Sequence, residues 1–231
     1  MELKKIIIGE TLFSNKIEAF QTEDLNQWNS NPMKWLYLVG GIHGDEVEGI
    51  FVLTQLLEWI KTSLLTDIPL ILIPILNIDG YQANTRVNAR KIDLNRNFPV
   101  ANNRQGQKKI PGHGDNHGEA LKEPESYYLK TCLDKYPPQL LITFHRTSSG
   151  VMVPYGETAA LIGEFLTKYN RYPLRPKQEP LAGTLEAFVF DFYLSPVVSL
   201  KVGPSGQHKS FKDIWNENSD GLKQLLRGQA I

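Results

Sequence analysis

Short runs of consecutive apolar and β-branched residues alternate along this chain with longer stretches whose apolar residues recur every three or four positions. The short runs predict strands at Lys5–Ile8, Trp35–Ile42, Ile68–Leu76, Leu140–Phe144 and Pro196–Val202. Several are apolar on successive residues, as in the Leu-Ile-Leu-Ile-Pro-Ile-Leu run that ends at Leu76. Such a run suits a strand covered on both faces rather than one. The longer stretches predict helices at Val47–Thr62, Glu125–Lys135, Glu157–Tyr169, Thr184–Tyr193 and Asp213–Leu226. In the first of these, Ile50, Leu53, Leu57 and Ile60 form one apolar stripe. Strand–helix alternation of this kind predicts an α/β protein, a single-domain α/β/α sandwich over residues 1–231 with a central mixed, mostly parallel sheet.

Two stretches carry no period. Residues 79–118 are rich in Asn, Arg, Gly and Pro, and residues 173–183 are rich in Pro. Long ordered loops in compact domains usually serve function, and the first of these begins at the end of a predicted strand, where α/β sheets place their sites.

Composition narrows the partners. The chain has 25 Lys and Arg against 25 Asp and Glu, so nothing favours nucleic acid or an anionic membrane. A length of 231 residues supports a large core without disulfides or a structural metal, so a bound metal is expected to be catalytic. The one cysteine, Cys132, excludes an internal disulfide and reads as a small buried hydrophobe. No apolar run approaches the roughly 18–20 residues of a membrane span. The three isoleucines after Lys5 are too few for a signal-peptide core, so the expected compartment is the cytoplasm. Oligomeric state is not legible.

Candidate chemistry gathers at strand ends. In Gly40-Gly41-Ile42-His43-Gly44-Asp45-Glu46, a strand ends and a helix begins. A histidine and a glutamate three apart across that turn can both face one metal ion, and imidazole with carboxylate suits Zn²⁺ best, though Co²⁺ or Fe²⁺ fits the same set. Taken alone, the segment reads equally well as a loop histidine beside a helix-start acid. His145, at the end of the run Leu140–Phe144, is the candidate third ligand. A third group holds Asn77-Ile78-Asp79-Gly80, Arg86, Asn88 and Asp93-Leu94-Asn95-Arg96-Asn97-Phe98-Pro99. An arginine fork there matches a carboxylate, and another arginine can stabilise charge on an attacked carbonyl. His113 and His117 sit four apart among glycines and read as a solvated loop, and His208 has no visible partner.

From about Trp35 to Gly203 these pieces resemble the zinc carboxypeptidase family, in particular its short bacterial branch. The motifs are HGDE at 43–46, NIDG at 77–80, TRVN at 85–88 and DLNRNFP at 93–99. The resemblance implies that fold and one zinc held by His43, Glu46 and His145. It implies that Arg86 polarises the scissile carbonyl, that Asn95 and Arg96 grip a substrate carboxylate, and that the Gly183–Glu186 segment lines a specificity pocket. Glu186 there would favour an amine-bearing substrate such as a cell-wall peptide containing diaminopimelate, or is simply an acid near a helix start. The implied activity is hydrolysis of an amide bond in a peptide with a free carboxylate. Desuccinylase- or aspartoacylase-like deacylation is the alternative chemistry. The chain departs from the family at Lys201, which stands where the general-base glutamate is expected, and at Arg146, where a small residue is usual. Lys201 is then an inactivating substitution that leaves a zinc- and peptide-binding protein, a neutral lysine acting as the base, or a sign that another carboxylate such as Glu186 takes over.

Overall fold

A computed structural model describes residues 3–22, 34–63, 68–102, 120–206 and 209–229. Its strands are β1 (Leu3–Glu10), β2 (Lys16–Thr22), β3 (Trp35–Val39), β4 (Leu70–Ile73), β5 (Pro138–Arg146), β6 (Val151–Tyr155) and β7 (Val197–Val202). Its helices are α1 (Val47–Thr62), α2 (Ile78–Ala83), α3 (Pro124–Lys135), α4 (Glu157–Asn170), α5 (Leu185–Phe192) and α6 (Phe211–Leu226). The strands form a sheet in the order β1-β2-β4-β3-β5-β7-β6. The centre, β4-β3-β5-β7, is parallel, while β1, β2 and β6 join antiparallel at the two flanks. The expected mixed sheet between helical layers is therefore present.

The central strands are covered by apolar side chains on both faces. Leu36, Leu38, Leu70, Leu72, Ile142, Phe144, Val198 and Leu200 share one core with residues of α1, α4 and α6. Tyr37, Val39, Ile71, Ile73, Leu141 and Val197 share the other with residues of α3 and α5. Successive side chains of a strand leave opposite faces, which is why the central strands are apolar at every position.

Three elements differ from expectation. Strand β2 was not expected, because Phe20, which packs against the core on the opposite face, blurs the alternation of buried Ile17 and Ala19 with Glu18. Strand β6 carries Pro154, which cannot donate to a ladder and is tolerated because β6 is an edge strand. Helix α2 lies inside the stretch read as aperiodic, and Asn77 caps it by accepting from the Gly80 amide at 2.9 Å. His113, His117, His208 and the 103–118 part of the long loop lie outside the described residues.

Candidate metal centre

The strand β3 ends at Val39, and Gly40 and Gly41 turn the chain so that His43 and Glu46 precede α1. Gly41 adopts φ +60°, a conformation that glycine takes at no steric cost. Gly44 lies against the next motif: a Cβ there would stand 2.1 Å from the Gly80 carbonyl carbon. The side-chain amide of Asn77 donates to the carbonyls of Ile42 (3.4 Å) and Arg86 (3.3 Å). The NIDG motif thus ties the HGDE turn to the arginine that follows it. Asp79, in the same helix, accepts from Thr11 and Asn15 at 2.7 Å each and anchors the β1–β2 hairpin.

His43, Glu46 and His145 come together at the carboxyl ends of β3 and β5, all buried, with one potential ligand atom from each within 4.8 Å of the others. His43 Nδ1 stands 3.0 Å from Glu46 Oε1, and His145 Nδ1 stands 2.9 Å from Glu46 Oε2. The opposite nitrogens face different carboxylates. His43 Nε2 is 3.2 Å from Asp93 Oδ1, and His145 Nε2 is 2.9 Å from Glu186 Oε1. A carboxylate at Nε2 fixes the proton on that nitrogen and aims the Nδ1 lone pair the other way. With the imidazoles neutral, both Nδ1 lone pairs face one more carboxylate, so the arrangement calls for positive charge between them, a proton on His145 Nδ1 or a metal ion. His43 Nδ1 is buried without a hydrogen bond. This donor set fits a cation placed among His43 Nδ1, His145 Nδ1 and Glu46, and two imidazoles with one carboxylate match a catalytic zinc set.

The ionisation of these groups agrees. Burial pushes the Glu46 carboxyl upward, but the charge and hydrogen bonding of His145, joined by His43, outweigh it and hold the acid well below its usual range. Burial opposes charge on His145, yet Glu46 and Glu186 push it up to about 9. Burial likewise acts against Asp93, but His43 and Arg86 hold it at about 2. The space between the three ligands is one in which positive charge is strongly favoured.

Arg86 contacts the same cluster. Its Nε and one terminal nitrogen lie 3.1 and 3.0 Å from Asp93 Oδ2, and the other terminal nitrogen is 3.5 Å from Glu46 Oε1. Arg96 ends a one-turn 3-10 helix, Leu94–Arg96, that Asp93 caps by accepting from the Asn95 amide. Arg96 donates to the Asn95 carbonyl at 2.6 Å and, among the described residues, has no carboxylate within ion-pair distance. Lys201 is half-buried, pairs in register with His145 across β5 and β7, and likewise has no partner among the described residues. Arg146 stands loosely between Asp45 (3.6 Å) and Glu48 (3.9 Å).

Two expected substrate contacts are engaged inside the protein instead. Glu186 is 4% exposed, accepts from Thr143 Oγ1 at 2.7 Å and from Asn95 Nδ2 at 3.1 Å, and faces His145. Its carboxylate is turned into the core rather than open to a substrate amine, because α5 enters with Glu186 in its first turn above β5. The Asn95 side-chain oxygen Oδ1 accepts from the Leu185 amide at 2.8 Å, so the Asn95 side chain clasps the start of α5. Asp93 was not singled out by sequence reasoning. Its signal was available, since it lies in the DLNRNFP motif and a ligating histidine almost always needs an acceptor on its second nitrogen. Thr143, two residues before His145 on the same face of β5, was missed for the same reason.

Comparison with known proteins agrees with the geometry. The family described as zinc carboxypeptidase, a zinc-dependent family, matches residues 2–224. Murein peptide amidase A of Escherichia coli K12 is 28% identical over 149 residues, which are 59% of this chain and 58% of that protein. Carboxypeptidase SOL1 of Arabidopsis thaliana is 36% identical over 104 residues, 41% of this chain and 19% of that one. The matched segments therefore span under two thirds of these curated relatives. Among solved structures, murein-tripeptide amidase MpaA from E. coli O157 superposes with a TM-score of 0.72 at 22% identity, covering 96% of this chain and 91% of that chain. Carboxypeptidase A from Helicoverpa armigera gives 0.76 at 16% identity, covering 99% and 68%. At those identities the structures speak for the fold alone, whereas the family match spans nearly the whole sequence: this chain belongs to the zinc carboxypeptidase family.

Proposed function

We propose that this protein hydrolyses an amide bond in a peptide that carries a free carboxylate, using one zinc ion held by His43, Glu46 and His145. The observation that carries this reading is the pair of imidazoles whose Nδ1 atoms both face Glu46 while each Nε2 rests on another carboxylate. Zinc in such a site polarises a carbonyl and lowers the pKa of a water molecule. Arg86, held by Asp93 beside Glu46, is the group suited to stabilise negative charge on the carbonyl oxygen under attack. Arg96 forms no ion pair with a carboxylate among the described residues, although its charge is felt by Asp93, and is the group suited to bind the substrate's own carboxylate. The similarity to murein peptide amidase A makes a cell-wall peptide the first substrate to try.

Lys201 favours a second reading. A protonated amine cannot accept a proton from attacking water, and the loss of general-base help lowers rates by about 10²–10⁴. Glu186 is engaged by His145, Thr143 and Asn95, which argues against its replacing that base. In this reading the protein binds zinc and a peptide carboxylate with little turnover.

One experiment separates the two. The zinc-loaded protein is incubated with peptides bearing free carboxyl ends, including the murein tripeptide, with and without chelator. Chelator-sensitive turnover supports the hydrolase. Absence of turnover in a sample that binds one zinc and retains peptide binding supports the binding protein. Failure to bind zinc at all overturns both.

A further inference from the structure

We infer that Glu186 is the positioning residue of His145, a second carboxylate arm of the metal site matched to the one Asp93 supplies to His43. The inference rests on the zinc-site reading above. It differs from the substrate-pocket role that the position of Glu186 suggests in the sequence.

The geometry is nearly symmetrical. Each histidine presents Nδ1 to Glu46 and Nε2 to a buried carboxylate, Asp93 at 3.2 Å for His43 and Glu186 at 2.9 Å for His145. Each of those carboxylates is held by a backbone or side-chain donor of its own. Asp93 accepts from the Asn95 amide and from Arg86. Glu186 accepts from Thr143 on one oxygen and from Asn95 on the other. With both oxygens so engaged, Glu186 cannot rotate away, and the His145 ring is locked from behind. An ionised acceptor at Nε2 raises the basicity of the far nitrogen and fixes its direction.

Asn95 connects the two arms. Its backbone amide donates to Asp93 Oδ1 and its side chain donates to Glu186 Oε2, while its side-chain oxygen takes the Leu185 amide. The Asn95 position of the DLNRNFP motif therefore sets both histidines, one through the main chain and one through the side chain. The Phe98 amide adds a bond to the Gly183 carbonyl at 3.1 Å, which holds the α5 entry against the motif. A residue acting in this way influences the metal without touching it or the substrate.

The test is zinc affinity of the purified full chain, measured by competition with a chromophoric chelator, for wild type, Glu186→Gln, Glu186→Ala and Asp93→Asn. Loss of either carboxylate is expected to weaken zinc binding by about 10–100-fold. A spectroscopic signature goes with it: a downfield imidazole N–H resonance of His145 in the zinc-loaded wild type, absent in Glu186→Ala. Folded Glu186 variants that bind zinc as tightly as wild type overturn the inference. Should neither fold, Thr143→Val decides, since it removes one donor to Glu186 and leaves the ligands in place. A loss on the order of 10-fold supports the role, and equal affinity overturns it. If the wild type itself binds no zinc, the metal-site reading has failed, which is a different result from loss confined to the variants.

Discussion

Lys201 lies beside His145 in the parallel pairing of β5 with β7, and residues paired in that register project from the same face of the sheet. A half-buried lysine without a partner among the described residues therefore stands next to a candidate metal ligand, His145. Its charge opposes a cation at the site and cannot serve as a general base while protonated. Lys201→Glu is expected to raise amide hydrolysis by about 10²–10⁴ at saturating zinc. Turnover with the peptide panel measures it. An unchanged rate, with zinc and peptide still bound, would mean that the missing base is not what limits this protein.

Arg96 gives a prediction that is independent of turnover. Arg96 is half-buried and, among the described residues, its guanidinium makes one hydrogen bond, to the Asn95 carbonyl. A charge-assisted bond is worth about 1.5–3 kcal/mol, so Arg96→Ala is expected to weaken binding of a carboxylate-ended peptide by roughly 10–100-fold. The same peptide with an amidated end should bind wild type and variant alike. Calorimetry on the zinc-loaded protein tests both arms, and equal loss for the two peptides would assign Arg96 a structural role instead.

The central strands, most helices and the three ligand candidates were legible because each leaves a local mark. Leu-Ile-Leu-Ile at β4 signals burial on two faces, and His43 and Glu46 are three apart across a glycine-rich turn. Glu186 was legible as an acid near a helix start, but its direction was not. That direction depends on Asn95 and Thr143, which lie 91 and 43 positions away in sequence. Strand β6 was hidden by Pro154, because a proline counts against a strand until the strand is known to be an edge. Helix α2 spans six residues, too short to show a period, and only the Asn77 cap marks it.

The contact between Gly44 and Gly80 makes the two motifs interdependent. A Cβ at Gly44 would stand 2.1 Å from the Gly80 carbonyl carbon and 2.2 Å from the Tyr81 nitrogen, both backbone atoms that cannot swing aside. Gly44→Ala is expected to push α2 away from the HGDE turn at a cost of about 1–3 kcal/mol, the usual range for overpacking. Chemical denaturation measures the loss. Zinc affinity should fall with it, because Asn77, which caps α2, holds the Ile42 carbonyl directly before His43. A variant as stable as wild type with unaltered zinc binding would show that the turn and α2 are not coupled.

Away from the metal site, Glu125 supplies a pH dependence. It is fully buried, with Oε1 unpaired among the described residues and Oε2 3.3 Å from the Asn88 side-chain nitrogen. Burial raises its carboxyl above the ordinary value of 4.5, and the charges of Glu123 and Asp79 add to this against the hydrogen bonds from its own backbone amide and Asn88. The folded chain thus holds this proton more tightly than the unfolded chain does. Stability from this group is fully present below the unfolded value of 4.5 and is lost as pH rises through the raised folded value. Glu125→Gln removes the titration while keeping the shape and an oxygen for Asn88. Its stability relative to wild type should therefore improve as pH rises above the unfolded value of 4.5 and level off above the raised folded value. Urea denaturation of both proteins across that range measures the difference. A difference that stays flat, or that moves in favour of the wild type as pH rises, would mean that Glu125 is accommodated as a carboxylate, its burial compensated by Asn88 and the first-turn amides of α3.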